Sequence, residues 1–282
     1  MQITQVPVCS DASCAQCPAY VDLSRMQQPR RHTSSAEISA YEPLKRAFLR
    51  AGLLSCSEQG FNITLGPLTG LHRRLVLWLE AIESADELWK VPPLIRNDWV
   101  PRGVWRDPPE ELWCQESPSG HLLTPRPLFH LLNRLRHHPR DGGVWVINGL
   151  CTRDEDQQLT LPLKHQRSFT MVEFAALAPA GALGVWMGEL MEKLWSQAVA
   201  WDLPVDLSAT DNGPTGMDLR LRMPEMEPLR LARAWQLSKD VLEAYKIHGL
   251  QMAAVGCGID RWCLAMLARY GVNPADWPSI GR

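Results

Sequence analysis

The run Met217-Asp-Leu-Arg-Leu-Arg-Met223 alternates apolar and charged residues without a break, and it constrains the fold more than any other stretch. Successive side chains of a strand point to opposite faces, so the run predicts a strand with one apolar and one charged face. Phe61, Ile63 and Leu65 alternate in the same way. Gly143 to Leu150, Phe169 to Leu177 and the short run Leu88 to Val91, ended by Pro92-Pro93, also read as strands.

Helices are interspersed without a regular strand–helix–strand repeat. Ser34-x-x-Glu37 forms a possible capping box, followed by Ile38, Tyr41, Leu44, Phe48 and Ala51 at helical spacing and a stop at Gly52. Leu71 to Ile82 and residues 126–137 read as helices, as does Pro179 to Trp201 with Leu183, Met187, Leu190, Leu194 and Ala198 inward. Ala253 to Tyr270 is a strand that turns through Gly256-Cys-Gly258 into a helix. The order predicts an α+β fold. Residues 1–33, rich in Pro, Gln, Ser and Arg without a sustained period, read as a loosely ordered leader to a single domain over 34–282.

Composition narrows the function classes. A formal net charge of −2 lacks the basic excess of proteins that neutralise long runs of phosphate, which argues against extensive tRNA contact. No stretch approaches the roughly 20 apolar residues of a membrane span. The first residues lack the basic and apolar regions of an export signal, so the expected location is the cytoplasm, with most of the 8 cysteines as free thiols. Cys9, Cys14 and Cys17 have no nearby fourth ligand and are read as part of the leader.

Three constellations could carry chemistry. Thr152-Arg153-Asp154-Glu155 precedes a strand on which Phe169, Met171 and Glu173 share one face. An aromatic ring beside arginine suits an adenine ring and a triphosphate, although spacing alone favours a strand edge with an exposed ion pair. Gly256-Cys-Gly258-Ile-Asp-Arg261 lets the backbone approach a ligand and places arginine at a helix start, without matching the dinucleotide fingerprint. Asp218, beside Arg220 and Arg222, reads as a Mg²⁺ carboxylate or as an ion pair. The basic residues Arg134, Arg136, His137 and His138 read as a solvated face or as a docking surface for an anionic partner.

In this order the pieces resemble motifs 2 and 3 of class II aminoacyl-tRNA synthetases. The run 254–278, AVGCGIDRWCLAMLARYGVNPADWP, is similar to the closing segment of the amino acid:[carrier protein] ligases, relatives of the atypical seryl enzymes without a tRNA-binding arm. Val91-Pro92-Pro93-Leu94 resembles the strand near motif 1.

The resemblance implies an antiparallel sheet flanked by helices and a homodimer formed around residues 70–100. It implies ATP and Mg²⁺ as cofactors, with Arg153 on the α-phosphate, Glu155 on the adenine amino group, Phe169 stacked on the base, Arg261 on the far phosphates and Asp218 on Mg²⁺. The implied reaction forms an aminoacyl-adenylate and passes the acyl group to the phosphopantetheine thiol of a carrier protein.

Departures from the family pattern bear on the acyl substrate. The family's zinc is held by two cysteines and a glutamate; the glutamate matches Glu173, but the cysteine positions fall at Leu128 and Ala254. The expectation is therefore an amino acid or related acid bound without zinc, its amine paired directly with Glu173, unless a shifted alignment brings in Cys151 and Cys257. Thr152 replaces the family's phenylalanine, and Asp211-Asn-Gly-Pro-Thr-Gly stands where an insertion is longer. The alternative is a catalytically silent paralogue that binds a nucleotide or a partner.

Overall fold

The computed structural model describes residues 29–56, 62–105, 108–116, 120–154, 161–179, 181–210 and 216–280. Strands β1 to β13 span Arg30–Arg31, Leu54–Cys56, Asn62–Thr64, Glu87–Lys90, Leu94–Arg96, Gln115–Glu116, His121–Leu123, Gly143–Thr152, Ser168–Ala178, Val205–Ala209, Met217–Leu221, Leu229–Gln236 and Gln251–Gly258. Helices α1 to α6 span Tyr41–Arg50, Gly66–Ile82, Leu128–His137, Ala182–Ala200, Lys239–Ala244 and Ile259–Tyr270.

One sheet organises the chain, in the order β1-β10-β11-β12-β13-β9-β8-β4. Every neighbouring pair is antiparallel except β4 with β8, which run parallel. The expected antiparallel sheet is thus a mixed one at its β4 edge. That parallel pair requires a crossover, and the chain makes it through β5 to β7 and α3.

The two faces of the sheet follow from strand periodicity. Val172, Phe174, Ala253, Val255, Cys257, Leu219 and Leu221 point to one face and pack with α1, α2, α4 and α6 in the larger core. Against this core the half-buried Trp78 meets the buried Trp201 and Trp262 edge to face, with the three ring centroids 4.7 to 6.0 Å apart. On the other face Trp145, Ile147, Ala175, Leu177, Met252 and Ala254 pack with α3 and α5 in a smaller core. This second cover reaches only part of the sheet and leaves a cleft over the start of β9 and the middle of β12.

Element ends differ from expectation where tertiary contacts decide them. The helix α1 starts at Tyr41 behind Ala40 with no side-chain cap, so the capping box does not form. Ser34 and Ser35 instead donate hydroxyls to Asp202, at 3.1 and 2.6 Å. Arg30 and Arg31 pair with Leu207 and Asp206 at the sheet edge, so ordered structure begins before Ser34. Residues 1–28, including Cys9, Cys14 and Cys17, lie outside the described residues, as does Phe61. On α3 Leu128, Phe129, Leu131, Leu132 and Leu135 are buried, while Arg134 and His137 stay exposed. No helix among the described residues is long and apolar enough to cross a membrane.

Candidate functional site

Register places a row of polar side chains across the sheet. Asp218 stands opposite Arg233, Arg233 opposite Gly256, Gly256 opposite Glu173, and Glu173 opposite Ile147. These residues share the face that carries the cleft. The pairing of β11 with β12 slips between Leu219 and Arg220, so that Ala232 and then Arg230 find partners while Leu231 is passed over. Such a bulge reverses side-chain parity, which is why Arg230 and Arg233, three residues apart, both reach Asp218.

Asp218 is 1% exposed, and Arg220, Arg230 and Arg233 approach it at 2.7, 3.4 and 3.7 Å. On the charged face expected of β11, Asp218 is therefore buried while Arg220 stays half-exposed. Three guanidiniums around one carboxylate already neutralise it, which is a poor setting for a Mg²⁺ ligand. Its geometry is that of an anchor for the arginines.

Glu173 is fully buried and forms an ion pair with Arg126, Nε to Oε1 at 2.7 Å. Its other oxygen accepts a hydrogen bond from the Leu128 backbone N–H at 2.7 Å. Arg126 is itself 3% exposed and lies over the Trp235 ring, 4.0 Å from the centroid. Gly256 makes this crowding possible, since an added Cβ would meet Met171 Cε at 3.3 Å and Trp235 Cζ3 at 3.4 Å. The direct carboxylate–ammonium pairing expected of Glu173 is thus replaced by an internal pair with arginine.

The β8–β9 hairpin and the start of α6 build the other walls of the cleft. Thr152 and Ser168 share a hydroxyl hydrogen bond at 2.9 Å, and the Arg153 N–H donates to the Arg167 carbonyl at 2.8 Å. Arg153 is held over the Phe169 ring, 5.0 Å from its centroid. Arg261, in the first turn of α6, donates to the Lys164 and Arg230 carbonyls, each at 3.1 Å. Asp260 accepts from the Thr170 N–H at 3.1 Å, and burial raises the pKa of its carboxyl above the ordinary range. The structure therefore brings Arg153, Phe169 and Arg261 around one space, joined by Lys164, Arg230 and Arg233. Glu155 lies outside the described residues.

The zinc of the resembled ligases does not fit the residues present. Glu173 is occupied, Leu128 and Ala254 are apolar, and Cys257 faces the larger core, opposite to Glu173. Cys151 is fully buried, and burial holds its thiol well above the usual range. No group of three or more His, Cys, Asp or Glu among the described residues is arranged to hold a metal ion.

Sequence reasoning singled out neither β12 nor Arg126, and so it missed Arg126, Arg230, Arg233 and Trp235. The spacing of the two β12 arginines carries a signal, because a shift in alternation within Leu-Arg-Leu-Ala-Arg-Ala-Trp marks a bulge. Nothing local marks Arg126; only the register of β9 beneath it explains its burial.

Solved structures share this architecture. M. kandleri SerRS in complex with A. aeolicus tRNASec matches with a TM-score of 0.69 and 15% identity, over 92% of this chain and 64% of that one. Cytoplasmic serine-tRNA ligase from Naegleria fowleri in complex with AMP matches at 0.66 and 11%, over 87% and 59%. Seryl-tRNA synthetase from Pyrococcus horikoshii complexed with ATP matches at 0.65 and 12%, over 84% and 60%. The chain thus has the class II synthetase-like α+β fold and spans about three fifths of the length of these structures. No protein-family model and no curated protein matches its sequence.

Proposed function

We propose that this protein activates a carboxylic acid, an amino acid or a related acid, as its adenylate at the expense of ATP, and passes the acyl group to the phosphopantetheine thiol of a carrier protein. The observation that carries the reading is the cleft itself. Arg153 lies against Phe169, and Arg261 is fixed on the opposite wall by two backbone carbonyls. An adenine ring stacking on Phe169 would take the place of the guanidinium and leave it at the α-phosphate, while Arg261, with Lys164 and Arg230 beside it, meets the far phosphates. Two of the similar structures are complexed with AMP or ATP, which supports a nucleotide as a ligand of this fold.

In the first step a carboxylate oxygen of the acid bonds to the α-phosphorus, the α–β anhydride bond breaks and pyrophosphate leaves with the electron pair. In the second the carrier thiol attacks the acyl carbon, AMP leaves and the thiol proton passes to solvent. Both steps rest on positioning and on cations facing developing negative charge, so no protein nucleophile is required. Mg²⁺ is expected to travel with ATP, and the three arginines around the buried Asp218 make it an unsuitable seat for the ion. The reaction is proposed to need no zinc, since Glu173 is already paired. A homodimer is proposed through residues 70–100, where Leu77 and Leu88 are 52% and 53% exposed.

Acid-dependent ATP–pyrophosphate exchange in Mg²⁺ buffer tests the reading. Exchange with at least one acid is expected, reduced on the order of 10²-fold or more in Arg153→Ala and in Arg261→Ala. Exchange unchanged in both variants would remove these residues from the chemistry. ATP binding without exchange across a broad panel would favour a nucleotide-binding paralogue.

A further inference from the structure

The environment of Arg126 bears on which acid this cleft receives, an inference that rests on the adenylation reading. The cleft is lined by Arg126, Arg153, Lys164, Arg230, Arg233 and Arg261. The one carboxylate among its described lining residues is Asp260, which is 8% exposed and accepts a backbone hydrogen bond from Thr170. Behind this lining, Glu173 is spent on Arg126 and the Leu128 N–H, and Asp218 on three arginines.

With Arg153, Lys164, Arg230 and Arg261 facing the ATP phosphates, an α-ammonium entering beside the nucleotide would lose its water and find Glu173 and Asp218 already paired with arginines. Pairing with Glu173 would require displacing a guanidinium that is 3% exposed, held at 2.7 Å and stacked on Trp235. That exchange leaves Arg126 buried without its counter-charge, which is costly. An oxygen substituent at the same place reverses each term. It accepts hydrogen bonds where the wall offers donors, and it adds no positive charge.

We infer that the acid activated here carries an oxygen beside its carboxyl, as a 2-hydroxy or 2-oxo acid does, where an amino acid carries its ammonium. Arg126, held by Glu173, is the residue that reads that oxygen. Bond making and breaking are those of adenylate formation from ATP, since the substituent takes no part in them.

The test is ATP–pyrophosphate exchange by the wild-type chain with matched acids: glycolate against glycine, lactate and pyruvate against alanine, glycerate against serine. The oxygen-bearing member of at least one set is expected to drive exchange about 10-fold or more faster, because a site built of donors rejects a partner that cannot accept. Equal or faster exchange with the amino acids overturns the inference and leaves adenylation standing. Exchange with neither set, extended to larger 2-hydroxy, 2-oxo and amino acids, overturns adenylation and the inference with it.

The double substitution Arg126→Met with Glu173→Gln removes both buried charges together, and it is expected to narrow the preference to within about 3-fold. A preference that survives this change overturns the assignment to Arg126. The wild-type comparison decides the substrate class even where the double variant does not fold.

Discussion

The two faces of the central sheet are made from the same strands, yet one is closed throughout by apolar packing and the other, beyond its smaller apolar core, by paired charges. On the closed face Val172, Phe174, Val255, Cys257 and Trp262 are fully buried against helices. On the cleft face, between Val172 and Phe174 in the alternation, Glu173 and its partner Arg126 are just as buried yet carry full charges. Apolar packing tolerates small adjustments, since each contact is weak and non-directional. A buried ion pair does not, because either charge left alone is far costlier than both removed together. The comparison teaches where this chain invests in position rather than in stability.

Single and paired substitutions break the comparison most sharply. Glu173→Ala strands the Arg126 guanidinium and is expected to cost about 3–5 kcal/mol, whereas adding Arg126→Met should recover most of that loss. On the closed face Leu264→Ala opens a cavity at a fully buried site and is expected to cost about 2–5 kcal/mol. No charge-removing partner should rescue it. Urea denaturation of the single and double variants measures both. Equal recovery on the two faces, or none on the cleft face, would erase the distinction.

A smaller effect separates the faces by pH. His130, on α3 beneath the smaller core, is buried, and burial lowers its pKa to about 4. An unfolded histidine titrates near about 6.5, so between these values the unfolded chain binds a proton that the folded chain refuses. Stability from this group is full above the unfolded value and is lost as pH falls toward the folded one, by on the order of 3 kcal/mol in total. Melting temperatures between neutral and mildly acidic pH are expected to fall in the wild type and to fall less in His130→Gln.

The legible parts of this molecule are those whose signal is local. Phe169 and Glu173 sit on one face and Val172 and Phe174 on the other, as period-2 alternation requires. The inward residues of α4, from Leu183 to Ala198, are buried as the helical spacing predicts. Arg153, Phe169 and Arg261 were found through motif order, and they line one cleft. What local pattern missed depends on long-range register. The bulge at Leu231 turns Arg230 toward Asp218, and a β9 carboxylate holds Arg126 from 47 residues away, as the numbering of the two shows. The capping box failed for the same reason: Asp202, far along the chain, outcompetes the local helix start for Ser34 and Ser35.

The most direct test of the nucleotide cleft is calorimetric titration of ATP with Mg²⁺ into the wild type, Arg153→Ala, Arg261→Ala and the closed-face control Leu264→Ala. The expected result is a single site in the wild type and the folded control, weakened about 10-fold or more in each arginine variant, since each loses a charge-assisted contact to phosphate. No binding by the wild type, or equal affinity in all four proteins, would contradict the account.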